Sequence, residues 1–179
     1  MQDIMIDLET LGTKPGCAIV SIGAVAFDPR NGDLDEGVYI PVARESQLAL
    51  GLFEEQGTLD WWDRQSPEAR AALDDPKGNL LPFALMELNG YIQGVQARHG
   101  VVPPVWGTGA DFDLPILVSC YRVSNIEVGW RPFNGRCYRT IKNLAPHIKL
   151  ERRGTHHNAL DDARCQAEHL MEIVRSTTI

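Results

Sequence analysis

No C-x-x-C pair occurs in the chain. Its four cysteines, Cys17, Cys120, Cys137 and Cys165, lie far apart, which excludes the usual zinc-cluster and redox motifs; reduced thiols in a cytoplasm fit best. No apolar run approaches the roughly 20 residues that a membrane-spanning helix needs, so a membrane partner is not expected. A secretory leader is not expected either, because Met1-Gln2-Asp3-Ile4-Met5-Ile6-Asp7 runs directly into a strand pattern that carries acids. Internal repeats, low-complexity tracts and linkers are missing too. A surplus of basic residues is absent: 17 Lys and Arg stand against 24 Asp and Glu, a formal charge of −7. That balance argues against coating nucleic acid through a broad basic surface, since such binding neutralises many phosphates.

The charge is nevertheless uneven. Arg131, Arg136, Arg139, Lys142, Lys149, Arg152 and Arg153 face the single acid Glu151 over one segment. This is either a solvated face or a phosphate-steering rim beside an acidic centre. With 179 residues, 44% of them hydrophobic, the expectation is one domain spanning 1–179.

Residues 3–9 alternate as a strand, with Ile4, Ile6 and Leu8 on one side and Met5, Asp7 and Glu9 on the other. The run 18–27 is rich in Val, Ile and Ala, as a covered central strand requires. Asp28-Pro29-Arg30-Asn31-Gly32 then turns the chain into a third strand, 37–42, completing a hairpin. Short helices are expected over 59–64 and from Ser66, where a Ser cap precedes Pro67. A longer one spans 81–97, with Leu85, Leu88, Ile92 and Val95 at helical spacing and Gly100 closing it. Residues 104–107 make a short strand and 114–121 a helix entered through Asp113. The last helix, 158–175, carries the apolar stripe Leu160, Ala163, Ala167, Leu170 and Val174. Strands first and interleaved helices later predict an α/β sandwich, one mixed β-sheet flanked by helices on its faces.

Three acidic segments carry the chemistry. Asp7 and Glu9 stand two apart on one strand, so their carboxylates share a face with about 6 to 7 Å between Cα atoms. Such a pair either faces water or helps hold divalent ions. In Gly107-Thr108-Gly109-Ala110-Asp111-Phe112-Asp113, small residues permit close approach. Asp113 is either a helix cap or a ligand, and Asp111 can fill either role. In Thr155-His156-His157-Asn158-Ala159-Leu160-Asp161-Asp162, Asp161 falls on the flank with Arg164, Glu168 and Glu172. Asp162 falls on the flank with Ala159 and Gln166, and is the better inward carboxylate.

Asp7-x-Glu9, Phe112-Asp113, and His157 with Asp162 in this order resemble the DEDDh group of 3′–5′ exonucleases, relatives of proofreading subunits and ribonuclease T. Ile6-Asp7-Leu8-Glu9-Thr10-Leu11-Gly12, Thr58-Leu59-Asp60-Trp61-Trp62 and His157-Asn158-Ala159-Leu160 look most like the small phage and bacterial exonuclease VIII-like and exoribonuclease proteins. The resemblance implies a ribonuclease H-like fold. It also implies Asp7, Glu9, Asp113 and Asp162 as ligands of two Mg²⁺ or Mn²⁺ ions, with His157 as general base; Asp161 is an extra acid beside them. The implied substrate is a single-stranded 3′ end, RNA slightly favoured over DNA, cut stepwise to nucleoside 5′-monophosphates. Thr10, Leu11 and Gly12 are candidates to contact the terminal nucleotide, although Leu11 can equally be core. Trp61 and Trp62 are neighbours that cannot share one helix face, so at least one is a candidate for stacking on a base. Members of the group often pair, which makes a homodimer a further expectation, located in the cytoplasm of a cell or of a phage's host. The competing readings are a catalytically idle module that holds nucleic-acid ends and an acidic structural protein that binds no metal.

Overall fold

The computed structural model describes residues 2–75 and 77–176. Strand β1 (Asp3–Thr10) pairs antiparallel with β2 (Ile19–Phe27), and β2 pairs antiparallel with β3 (Val38–Pro41). On its other side β1 runs parallel to β4 (Val105–Gly107), which runs parallel to β5 (Gly135–Cys137). The order β3-β2-β1-β4-β5 makes one mixed sheet with β1 at its centre. All eight residues of β1 and all nine of β2 are buried.

Both faces of β1 are covered, and the alternation of its side chains decides by what. Ile4, Ile6 and Leu8 enter the larger core with helices α4 (Leu81–His99) and α5 (Asp113–Val123). Met5 enters a smaller core with α6 (Tyr138–Leu144) and α7 (Ala159–Ser176). Helix α4 buries Leu85, Leu88, Ile92 and Val95 and ends at Gly100 in the left-handed region, φ 70°, where glycine carries no steric penalty. Helix α7 buries Ala163, Ala167 and Leu170, with Leu160 and Val174 packed at the margin of that core.

The smaller helices include one that the sequence pattern does not mark. In the helix we label α1 (Arg44–Leu48), buried Gln47 accepts from the Ile19 amide at 2.8 Å and donates to the Ile19 carbonyl at 2.7 Å. It thereby pairs backbone groups at the start of β2 that burial would otherwise orphan. Helix α2 (Gln56–Trp62) begins earlier and ends earlier than expected, whereas α3 (Pro67–Arg70) has the Ser66 cap, its hydroxyl accepting from the Ala69 amide. Asp113 is not a cap: it is the first helical residue of α5, and its carboxylate points back to the sheet. No helix among the described residues is long and apolar enough to cross a membrane. All four cysteines are free.

Candidate active site

The C-terminal half of β1, the start of α7 and helix α2 enclose a cleft of about 780 Å³. Asp7 and Glu9 point into it from the face of β1 that α7 covers. Asn158 sets the phase of α7, its side-chain oxygen accepting from the Leu160 and Asp161 amides at 3.1 Å each. Ala159 then sits directly against Gly23 of β2, so closely that a Cβ on Gly23 would lie 2.1 Å from the Ala159 carbonyl carbon. With the first turn fixed in this way, Asp162 faces the cleft one turn on and Gln166 follows four residues later on the same side.

Asp113 reaches the cluster from behind. Its carboxylate accepts from the Leu8 amide at 3.3 Å and from the Thr108 amide, and its residue is only 1% exposed. Gly107 makes this possible, since a Cβ there would stand 3.0 Å from that of Asp113. Gln166 ties the parts together: its amide donates to Asp7 at 2.6 Å and its oxygen accepts from the Thr108 hydroxyl at 2.7 Å.

The electrostatics are those of crowded anions. Burial first, then the charges of Asp113 and Glu9, push the Asp7 carboxyl well above the usual carboxylate range. Burial and the charges of Asp162 and Asp113 raise Glu9 to about 8. Burial raises Asp113 to about 7 against the pull of its two backbone amides. A divalent cation among these buried carboxyls would favour their ionised forms. Ligand atoms of Glu9, His157 and Asp162 lie within 4.8 Å of one another, and oxygen donors with one imidazole suit a hard divalent ion. The donor set fits such a metal.

His157 precedes α7 in a left-handed conformation, φ 63°, which is uncommon for a residue with a side chain. Its ring packs edge-on against Trp61, with 4.7 Å between centroids. Burial, then the neighbouring His156, lowers its pKa, which leaves the imidazole neutral and able to accept a proton near neutral pH.

A family model described as the 3′-5′ exoribonuclease Rv2179c-like domain matches residues 2–174. The chain belongs to that family. An exodeoxyribonuclease of Enterobacteria phage T4 is 32% identical over 134 residues, 68% of this chain and 56% of that protein, so the chain spans little more than half its relative's length. Among solved structures, the nuclease domain of 3′hExo, a DEDDh family member bound to rAMP, superposes with a TM-score of 0.62 at 11% identity, covering 98% of this chain and 92% of that one. Cell-death related nuclease 4 (CRN-4) superposes with a TM-score of 0.66 at 15% identity, covering 98% and 64%. These likenesses establish the ribonuclease H-like fold of DEDDh nucleases.

Asp7, Glu9, Asp162 and His157 line one cleft, with Asp113 hydrogen-bonded to the strand that carries the first two. Thr10, Gly12 and Trp61 line it as well. Leu11 and Trp62 do not: each is 1% exposed in the core, and the Trp62 indole donates to the Thr10 carbonyl at 2.9 Å. Asp161 turns away to accept from the Thr155 amide at 2.7 Å, and Asp111 is exposed outside the cleft. The basic segment divides. Arg139 and Arg152 line the cleft, whereas Arg136 and Lys149 bond nearby carbonyls and Arg153 pairs with Glu151 and Glu168. Sequence reasoning missed Gln166, Thr108 and Glu55 as cleft residues. Gln166 was within reach, four positions beyond Asp162 on one helix face; Glu55 enters only through the tertiary fold.

Proposed function

We propose that this chain is a single-domain, metal-dependent 3′–5′ exonuclease that removes nucleoside 5′-monophosphates stepwise from single-stranded ends, with RNA favoured over DNA. The observation that carries the reading is the convergence of Asp7, Glu9 and Asp162, backed by Asp113, beside a neutral imidazole in one open cleft. Asp7, Glu9, Asp113 and Asp162 would hold two Mg²⁺ or Mn²⁺ ions. When bound, such ions neutralise charge on the scissile phosphate and on the leaving 3′-oxygen and acidify water.

The chain's own groups supply the rest. His157 accepts the proton of the attacking water as its oxygen bonds to phosphorus and the bond from phosphorus to the 3′-oxygen of the preceding nucleotide breaks. Trp61 does two things: it braces His157 in its left-handed conformation and offers a ring to the terminal base. Gln166 keeps Asp7 aimed into the cleft. Thr10 and Gly12 border the place of the terminal sugar. The family is described as exoribonucleolytic and the phage relative is an exodeoxyribonuclease, so the preference for RNA rests on the family.

Matched RNA and DNA oligonucleotides labelled at the 5′ end test this reading with Mg²⁺, with Mn²⁺ and with chelator. The expected result is a ladder shortening one nucleotide at a time, faster on RNA, absent with chelator, and blocked by a 3′-phosphate. Internal cuts, or no cleavage with either ion, would overturn it.

A further inference from the structure

Arg152 lies in the segment between α6 and α7. Its guanidinium Nη1 stands 2.6 Å from Asp162 Oδ1, the side chain of Asp162 being 12% exposed and that of Arg152 52% exposed. The root of this arginine is fixed while its tip is not. The Arg153 amide donates to Cys165 Sγ on α7 at 3.2 Å, and the Arg153 guanidinium pairs with Glu151 and Glu168. The neighbouring residue therefore pins the backbone to α7, and the half-exposed Arg152 side chain is left to pivot about that anchor.

Its partner belongs to the group of Glu9, His157 and Asp162 whose ligand atoms converge. A divalent ion on an Asp162 oxygen would stand about 2.0–2.6 Å from it. A guanidinium nitrogen on the same carboxylate would then lie only a few ångströms from that ion, a repulsion that a partly buried cleft screens weakly. The two cations compete for the carboxylate. A planar guanidinium displaced into the open cleft matches phosphate with two parallel hydrogen bonds.

We infer that Arg152 is a placeholder cation: it neutralises Asp162 before metal arrives, yields to the ion, and then binds a phosphate of the strand. This rests on the exonuclease reading above and adds a gate to its site. Titration of Mn²⁺ by calorimetry into the wild-type chain, Arg152→Gln and Arg152→Lys tests the first half without any catalytic readout. Arg152→Gln is expected to bind Mn²⁺ about threefold to tenfold more tightly than wild type, with Arg152→Lys between them because the charge remains. Affinity unchanged or weakened in Arg152→Gln, or Arg152→Lys as tight as Arg152→Gln, would overturn the inference while leaving the exonuclease reading intact. Wild-type chain that takes up no Mn²⁺ would overturn both. The second half is read by binding of an oligonucleotide with hydrolysis-resistant 3′ linkages in saturating Mn²⁺. Arg152→Gln should bind it more weakly, and its log–log salt dependence should flatten by about one phosphate's contribution. Unchanged strand affinity and salt slope would overturn the phosphate role.

Discussion

Gly23→Ala puts the positioning of the catalytic helix to the test. Gly23 pairs with Asp7 in the β1–β2 ladder, and the first turn of α7 rests on it. A methyl group there would meet the Ala159 carbonyl carbon at 2.1 Å, its oxygen at 2.2 Å and the Leu160 nitrogen at 2.4 Å. Ordinary contacts between such atoms are about 3.5–4.0 Å, so α7 or β2 must move by more than about 1 Å. Neither can do so cheaply, because the obstacle is backbone on both sides. Overpacking of a core usually costs about 1–3 kcal/mol, and this case belongs at or above the upper end. With a urea m-value of about 2 kcal/mol/M for a domain of this size, the midpoint should fall by about 1.5 M. Mn²⁺ affinity should fall with it, since His157 and Asp162 travel with the displaced turn. Gly90→Ala in α4 is the control: nothing lies within 4 Å of its added methyl, and alanine should stabilise the helix by about 0.5–1 kcal/mol. A Gly23→Ala midpoint equal to wild type, with Mn²⁺ affinity intact, would refute the claim that this contact sets the phase of α7.

Metal-free protein should lose stability as pH rises from about 6.5 to about 8.5. Glu9 at about 8, Asp113 at about 7 and the raised Asp7 keep protons in the folded state that the unfolded chain has already released. Depressed His157 acts in the opposite sense only below its unfolded pKa. Urea midpoints in chelator should therefore fall across this window and recover with Mn²⁺; a rise in chelator would contradict the assignment. Asp162→Asn should abolish Mn²⁺ binding, whereas Asp161→Ala should keep it and lose about 1 kcal/mol with the Thr155 amide bond, as calorimetry and urea melts would show. Trp61→Ala should lower kcat/KM at least about tenfold by freeing His157, with far-UV circular dichroism unchanged; full activity would remove Trp61 from the site.

Much of this arrangement was legible in the chain. The alternation of β1 assigns Asp7 and Glu9 to one face, and the helical period of α7 assigns Asp162, not Asp161, to the inner flank. Both are local geometry, which sequence spacing encodes. Asp113 was ambiguous because a carboxylate at a helix start satisfies a capping rule equally well. Only the tertiary approach of β1 and β4 shows that the amides it serves are those of Leu8 and Thr108. The pair Trp61-Trp62 could not be resolved for the same reason, since their shared helix α2 has seven residues, too few for a clear apolar stripe. Strand β5, three residues reading Gly-Arg-Cys, carries neither alternation nor β-branched side chains; it exists because β4 offers an open edge. Arg152 and Arg139 were visible only as members of a basic run, and their separation from Arg136, Lys149 and Arg153 is decided by the tertiary course of β5, α6 and the segment after it.

Diffraction at the manganese absorption edge from crystals grown with Mn²⁺ and a nucleoside 5′-monophosphate examines the central claim most directly. Anomalous peaks are expected among the carboxylates of Asp7, Glu9 and Asp162, with the phosphate beside them and His157 facing it. Peaks elsewhere, or a cleft without manganese at saturating concentration, would contradict the account.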